Sequence, residues 1–174
     1  MAWKFGGIYL KHDFDNDPSL ALNRLGIDKR FTYGTVRFST VIDSTFEPTA
    51  IGIFGGITLV HDNLLPYDHS YEADTYYPAD HRLLVLSRDI ENVVFYVDGS
   101  TDSYGLAHFR NGERVGHFSQ LSGDVIVQEG DFTTNTTSVE TQLFDWLQAF
   151  TGLSFNQLLA DDKPFMHLFT ETGF

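Results

Sequence analysis

The stretch YGLAHFRNGERVGHFSQ, residues 104–120, decides the fold of this chain. Two runs rich in apolar and aromatic residues, 104–110 and 113–120, flank the pair Asn111-Gly112. Asparagine followed by glycine accepts positive φ at both central positions of a type I′ turn, and the twist of that turn matches the twist of two strands. The stretch therefore predicts an antiparallel β-hairpin.

A two-residue turn also predicts which residues face each other across the hairpin. The predicted pairs are Arg110 with Glu113, His108 with Val115, Ala107 with Gly116, Leu106 with His117 and Gly105 with Phe118. In this register His108 and His117 lie diagonally on one face, with Cβ atoms roughly 6–8 Å apart. Two imidazoles at that distance can share a metal ion or act as acid and base, which makes them metal and catalytic candidates. The simpler alternative is that both cover a half-exposed sheet face.

Outside the hairpin, the sequence predicts further strands and a few helices. Strands are predicted at residues 3–10, 31–42, 50–60, 93–97, 125–129 and 165–169. A first helix is predicted between the N-cap Asp17 and the left-handed stop Gly26, and a second between a capping box at Thr137 and the stop Gly152. A shorter helix follows at 154–159.

Two segments are left open or irregular by the sequence. Residues 80–90 fit either a helix or a strand, and residues 61–78 read as a long tyrosine-rich surface loop. No repeat or linker divides the chain. We therefore expect one α+β domain over residues 1–174, with three to four helices packed on a curved, mainly antiparallel or mixed sheet.

Charge and composition exclude several classes of function. The chain has 24 acidic and 11 basic residues, for a formal charge of −13, so nucleic acid is a poor partner and a basic protein a better one. It has no cysteine, which excludes disulfides and thiolate metal sites. We expect a cytoplasmic protein with no membrane span, because neither a secretion signal nor a long apolar stretch is present. We also expect no cofactor, since the sequence has no phosphate-, dinucleotide- or zinc-binding motif.

Three acidic motifs are weak candidates for chemistry. The alternating acids from Asp13 to Asp17 suggest a calcium loop, but Pro18 and Arg24 stand where the template needs glycine and glutamate, so a helix-capping turn is favoured. His61-Asp62 is a dipeptide found in metal-dependent phosphohydrolases, and it is common by chance. The segment 98–105 offers Asp102 beside hydroxyls, yet it lacks the nucleophile-elbow pattern and is better read as a turn.

Residues 93–120 resemble the central hairpin of an uncharacterised bacterial domain family that is best represented in actinobacteria. The resemblance rests on Ser100 and Asp102, the apolar strand 106–109, and the Arg110-x-Gly112 turn, with Ser119 near the end of the next strand. After Gly130 the chain departs from the family pattern. The resemblance implies an α+β domain and supplies no catalytic residue.

Three hypotheses for function follow from these observations. The leading one is a non-catalytic, acidic binding domain that neutralises a basic partner, as bacterial immunity proteins do. The second is a small hydrolase or metal-dependent enzyme using His61, His108 or His117 with Asp62 or Asp102, which requires these side chains to converge. The third is a homo-oligomer subunit that pairs through an exposed sheet edge.

Overall fold

A computed structural model describes residues 3–27, 31–42, 49–61, 78–130, 132, 138–160 and 165–170. Within these ranges the chain forms one sheet of nine strands. The strands are β1 Lys4–Leu10, β2 Phe31–Arg37, β3 Thr49–Phe54, β4 Ile57–His61, β5 Asn92–Asp98, β6 Ser103–Arg110, β7 Glu113–Leu121, β8 Asp124–Gly130 and β9 Phe165–Thr170.

Several helices in the same ranges begin at N-capping side chains, and two of them end at a glycine. They are α1 Pro18–Leu25, α2 Phe38–Val41, α3 Pro78–Leu86, α4 Val139–Thr151 and α5 Phe155–Leu159. Asp17 caps α1 through its side chain and Gly26 ends it at φ 68°, as predicted. Ser154 begins α5 with a complete capping box. The N-cap of α4 is Ser138 and not Thr137, which lies outside the described residues.

The strand order across the sheet is β2-β9-β3-β4-β1-β5-β6-β7-β8, and every recorded pairing is antiparallel. Strands β5 to β8 form a meander in which each strand pairs with the next. Tight turns at Gly55-Gly56, Asn111-Gly112 and Ser122-Gly123 all have positive φ at both residues, which suits the twist of a hairpin. The α+β class is confirmed, and the sheet is antiparallel where it is described.

Helices cover both faces of the sheet, so the core has two parts. On the face that we call the first face, α2, α4 and α5 pack on alternate strand residues such as Phe95 and Leu106. On the second face, α1 and α3 pack on the intervening residues, such as Val94 and Ala107. Successive side chains of a strand point to opposite faces, so the central strand β5 is buried along its whole length.

The hairpin between β6 and β7 forms as predicted, but its predicted register holds only next to the turn. Beyond the pair Phe109–Arg114 a β-bulge at Val115 shifts the register by one residue, so that His108 faces Gly116 and Leu106 faces Phe118. The reason lies in the core. The shift places Phe118 on the first face, where its ring contacts Phe132 at 4.7 Å, whereas the unshifted register would turn it to the second face.

In a second segment the structure differs from the prediction, and in a third it decides between the two alternatives that the sequence left open. The predicted strand 31–42 stops at Arg37, and the chain turns into α2. Phe38 and Val41 are both buried there, which a helix permits because residues three apart share a face, and a strand does not. The ambiguous segment 80–90 is helical from Pro78 to Leu86. The predicted tyrosine-rich loop lies almost wholly outside the described residues.

Candidate functional site

The structure does not bring together those predicted site residues that it describes. His61 ends β4 on the first face, and His108 lies on the same face of β6, three strand spacings away, which is about 14 Å across the sheet, and two residues further along the strand. His117 lies on β7 and Asp102 in the turn between β5 and β6. Asp62 is outside the described residues. The described candidates therefore lie in different parts of the fold.

The predicted pairing of His108 with His117 on one face is wrong. Because the bulge at Val115 shifts the register, His108 faces Gly116 while His117 faces Ala107, and adjacent residues of β6 point to opposite faces. The two imidazoles are thus separated by the sheet itself. Among the residues that the structure describes, no group of three or more histidine, aspartate or glutamate side chains is arranged to hold a metal ion.

His61 is held inside an aromatic cluster of the first core. The residue is 2% exposed, and its Nε2 lies 3.0 Å from the Tyr9 hydroxyl. Its ring stacks on Phe5 at a centroid distance of 5.6 Å and meets the edges of Phe38 and Phe95. Its Nδ1 has no hydrogen-bond partner among the described residues.

Burial sets the protonation of this pair. Removal from water lowers the pKa of His61 to about 3, because the apolar surroundings disfavour the charged imidazolium. The same burial raises the pKa of Tyr9 far above its ordinary value, since a phenolate there would be equally unsolvated. At neutral pH both groups are uncharged, and the arrangement gives His61 a packing role.

His108 belongs to a separate polar cluster with Glu91 and Lys11, at the end of β6 near α4. His108 is 3% exposed, and its Nε2 lies 2.8 Å from Glu91 Oε1, while Lys11 Nζ donates to Glu91 Oε2 at 2.9 Å. The imidazole meets Trp146 and Phe150 of α4 edge to face, and Lys11 Nζ lies 4.6 Å from the centre of the Phe150 ring. The cluster joins β1, β6 and α4.

Opposing effects act on the carboxyl of Glu91. Partial burial raises its pKa, but the hydrogen bonds and positive charges of Lys11 and His108 outweigh burial and hold the pKa below its ordinary value. A carboxyl whose pKa is lower in the folded state than in the unfolded state stabilises the fold at pH values above its unfolded-state pKa. This contribution is lost as the pH falls through the folded-state pKa.

Replacing Glu91 with alanine is expected to lower the free energy of unfolding by about 2 kcal/mol, because the partly buried carboxylate accepts hydrogen bonds from two partners. Urea denaturation at neutral pH measures the loss. Lys11→Met, which removes a half-exposed partner, serves as the comparison and is expected to cost no more than about 1 kcal/mol. A Glu91→Ala protein as stable as the wild type contradicts this account of the cluster.

The acidic turns act as backbone caps. Asp13 Oδ1 accepts from the Asp15 N–H at 3.1 Å and Asp17 Oδ1 from the Ser19 N–H at 2.8 Å, so the capping alternative to a calcium loop is confirmed. In the β5–β6 turn, Asp98 Oδ1 accepts from the N–H groups of Ser100 and Thr101. Burial raises the pKa of Asp98, but the hydrogen bond from the Ser100 hydroxyl, the charge of Lys4 and the Thr101 N–H together hold it below its ordinary value.

Large exposed apolar side chains cluster at the β7–β8 turn, at the end of the meander that also carries the β5–β6 turn. Of the five large hydrophobic residues exposed in the described ranges, three surround the β7–β8 turn: Leu121 at 44%, Val125 at 49% and Ile126 at 55%. We call these three residues the β7–β8 tip. Strand β8 is the last strand of the sheet, and no described strand pairs with its outer edge. Apolar side chains here lie beside the backbone N–H and C=O groups of a strand edge, which are the groups that a further strand can pair with.

The β7–β8 tip is tied to the neighbouring turn. The Gly123 N–H donates to the Asp102 carbonyl at 3.0 Å, and the Ser122 N–H donates to the Ser103 hydroxyl at 3.1 Å. The Gln120 side chain donates to the same Asp102 carbonyl. These bonds hold the hairpin end in one position, which reduces the entropy that a binding partner would have to remove.

Carboxylates surround this edge. Asp124 and Glu129 are exposed on β8, and Asp102 is exposed on the adjoining turn. Burial, together with the nearby carboxylates of Glu140 and Asp102, raises the pKa of Tyr104 to about 12. The edge therefore combines exposed apolar side chains with negative charge.

Comparison of the chain with protein-family models, with curated proteins and with solved structures gave no match. In the part of the chain that the structure describes, no helix is both long enough and apolar enough to cross a membrane.

Sequence reasoning predicted strand 125–129 but missed the β7–β8 tip. A signal was present, since Ser122-Gly123 is a hairpin turn flanked by apolar residues on both strands. The strand's position at the edge of the sheet decides that Val125 and Ile126 are exposed, and that position is set by the order of all nine strands.

Proposed function

We propose that this protein is a non-catalytic binding domain that takes up an extended segment of a basic protein along the outer edge of β8. The observation that carries the proposal is the coincidence of a sheet edge that no described strand covers with the apolar β7–β8 tip. An extended peptide can add a strand to such an edge, with main-chain hydrogen bonds supplying affinity and side-chain contacts supplying selectivity.

Charge defines the partner. The formal charge of −13 attracts cationic proteins at long range, and Asp102 and Asp124 place negative charge beside the edge itself. Glu129 adds a third carboxylate, which also lies 4.0 Å from Arg114 of β7. A segment that alternates lysine or arginine with aliphatic residues would place its cations near these carboxylates and its apolar side chains near Val125 and Ile126.

The alternative hypotheses have less support. The described residues His61, His108, His117 and Asp102 do not converge, which argues against the hydrolase or metal-dependent enzyme that would use them. A homo-oligomer could use the same edge, but Asp124 and Glu129 would then approach the acidic edge of a second copy. A basic partner satisfies both features of the edge.

The proposal is tested with two synthetic strands of equal length, one alternating valine with lysine and one alternating valine with glutamate. The lysine peptide is expected to protect the β8 amides from hydrogen exchange and to shift their NMR signals, and the glutamate peptide is expected to do neither. Sedimentation of the protein alone distinguishes the homo-oligomer, because strand pairing between copies would raise the mass with concentration.

Variants locate the binding site. The double change Val125→Lys and Ile126→Lys is expected to weaken binding of the lysine peptide by about tenfold or more, because it removes apolar contacts and adds repulsion at the edge. Leu20→Lys is the matched control, since Leu20 is a similarly exposed apolar residue on α1, at 42%. An equal loss in both proteins, or equal binding of both peptides, would overturn strand addition at β8.

A further inference from the structure

A second surface of this acidic chain carries two arginines and therefore has the opposite charge to the β8 edge. Helices α1 and α3 lie beside each other on the second face, and a depression of about 280 Å³ is lined by Arg24, Arg82, Val85, Leu86 and Asp89. We call it the α1–α3 depression. Two of the chain's 11 basic residues line this one concavity, although acids outnumber bases in the chain by 24 to 11.

The guanidinium of Arg82 is held in place by the backbone. Its Nη1 donates to the Gly26 carbonyl at 3.0 Å, just beyond the end of α1. The group also lies directly over Gly26, where a Cβ would come within 2.4 Å of Nη1. A guanidinium has five N–H donors in a rigid fork. Within the described part of the chain this bond uses one of them, so the other donors can bind an oxyanion with little loss of side-chain freedom.

Arg24 approaches the same depression from the last turn of α1. The side chain is exposed and makes no ion pair with any residue in the described ranges. Its position near the C-terminal end of α1 suits the helix dipole, which explains a basic residue there without a ligand. The dipole does not explain why a second guanidinium from α3 lines the same concavity, 58 positions later in the sequence.

The remaining lining residues add aliphatic surface and a carboxylate to the depression. Val85 is 43% exposed, and Leu86 beside it belongs to the core of the second face. Among the described residues, Asp89 contributes the one carboxylate of the lining. A pocket lined by both guanidiniums and aliphatic side chains matches a ligand that carries an anionic group and an apolar group.

We propose that the α1–α3 depression binds a small organic anion, a carboxylate or a phosphate monoester that carries an apolar group. Arg24 and Arg82 hold the oxyanion, with Arg82 positioned in advance by the Gly26 carbonyl, and Val85 and Leu86 contact the apolar group. The overall charge of the chain repels anions at long range, so saturable binding of one requires such a local pair of cations. The site is independent of the β8 edge.

Titration of the full chain with phenyl phosphate and phenylacetate, followed by amide NMR shifts, tests the proposal. At least one of the two is expected to bind saturably with shifts at residues 22–26 and 82–89 and none at β8, and the stronger of them identifies the oxyanion. Benzyl alcohol, the neutral analogue, is expected to bind about tenfold more weakly or not at all, because it lacks the charge-assisted hydrogen bonds. Inorganic phosphate, which lacks the apolar group, is expected to be weaker than phenyl phosphate.

Matched variants separate the site from general electrostatics. Arg24→Ala is expected to weaken binding by about tenfold, since it removes one of the two cations and no described bond of the fold. Arg110→Ala makes the same change of charge at an exposed position outside the depression and is expected to leave binding unchanged. Asp89→Asn is expected to tighten binding by removing a repulsive charge. Failure of both aryl anions to bind, or equal losses in the two arginine variants, overturns the proposal.

Discussion

Replacing Gly7 with alanine is expected to lower the free energy of unfolding by about 3 kcal/mol or more, because strand β1 lies too close to β4 to admit a side chain. A Cβ at this position would come within 2.4 Å of the Val60 carbonyl oxygen, a backbone atom that cannot move aside alone. Gly7 also pairs with His61, whose ring contacts Phe5 and Tyr9, the first-face neighbours of Gly7. Thermal and urea denaturation measure the loss.

Gly34→Ala is the comparison that separates crowding from backbone strain. Gly34 also lies in a strand, β2, and a Cβ there has no heavy atom within 4 Å apart from its chain neighbours, but its φ of 159° is one that L side chains rarely adopt. We therefore expect the backbone strain alone to lower the free energy of unfolding by about 1 kcal/mol, less than the loss at Gly7. If the two variants are equally stable, the close approach of β1 and β4 does not constrain position 7.

Acidification is expected to destabilise the protein because His61 cannot take up a proton in the folded state. In the unfolded chain His61 binds a proton below its ordinary pKa of 6.5, whereas in the fold its pKa is about 3. The unfolded state therefore holds the extra proton between these values, and the contribution of this residue to stability is complete above pH 6.5 and falls as pH decreases. The expected slope is about 1.4 kcal/mol per pH unit, with a total on the order of 5 kcal/mol at pH 3.

Urea denaturation between pH 7 and pH 4 checks this slope against a His61→Phe variant. Phenylalanine keeps an aromatic ring in the cluster and has no proton to bind, so the variant is expected to show a shallower loss of stability over this range. The ring signals of His61 give a second measurement, since they are expected to remain those of a neutral imidazole through the same range. A His61 ring that titrates near pH 6.5 contradicts the prediction.

The sequence predicted those parts of the fold that depend on capping residues and turn residues, because these act on their immediate neighbours. Asp17 and Gly26 delimit α1 because a carboxylate can cap exposed N–H groups and glycine can take positive φ, and both properties act within a few residues. The Asn111-Gly112 turn likewise set the first two pairs of the β6–β7 hairpin. The segment from residue 98 was predicted to be a turn for the same reason, and Asp98 accepts from two backbone N–H groups within three residues of it.

The candidate site was less predictable because it depends on contacts distant in sequence. A pattern in residues 104–120 cannot show that Phe118 packs on Phe132, and that packing accompanies the bulge that separates His108 from His117. Nothing near Glu91 in the sequence indicates that it accepts hydrogen bonds from both Lys11 and His108.

The sequence by itself determined the α+β class, the Asn111-Gly112 hairpin turn and the acidic character of this protein, because turn geometry, capping and charge are properties of neighbouring residues. Only the tertiary structure decided which face each histidine occupies, that β8 is an edge strand and that Arg24 and Arg82 line one depression. The physical reason is that strand order and register are selected by the burial of apolar side chains across the whole sheet, and one residue of slip reverses the face of every side chain beyond it.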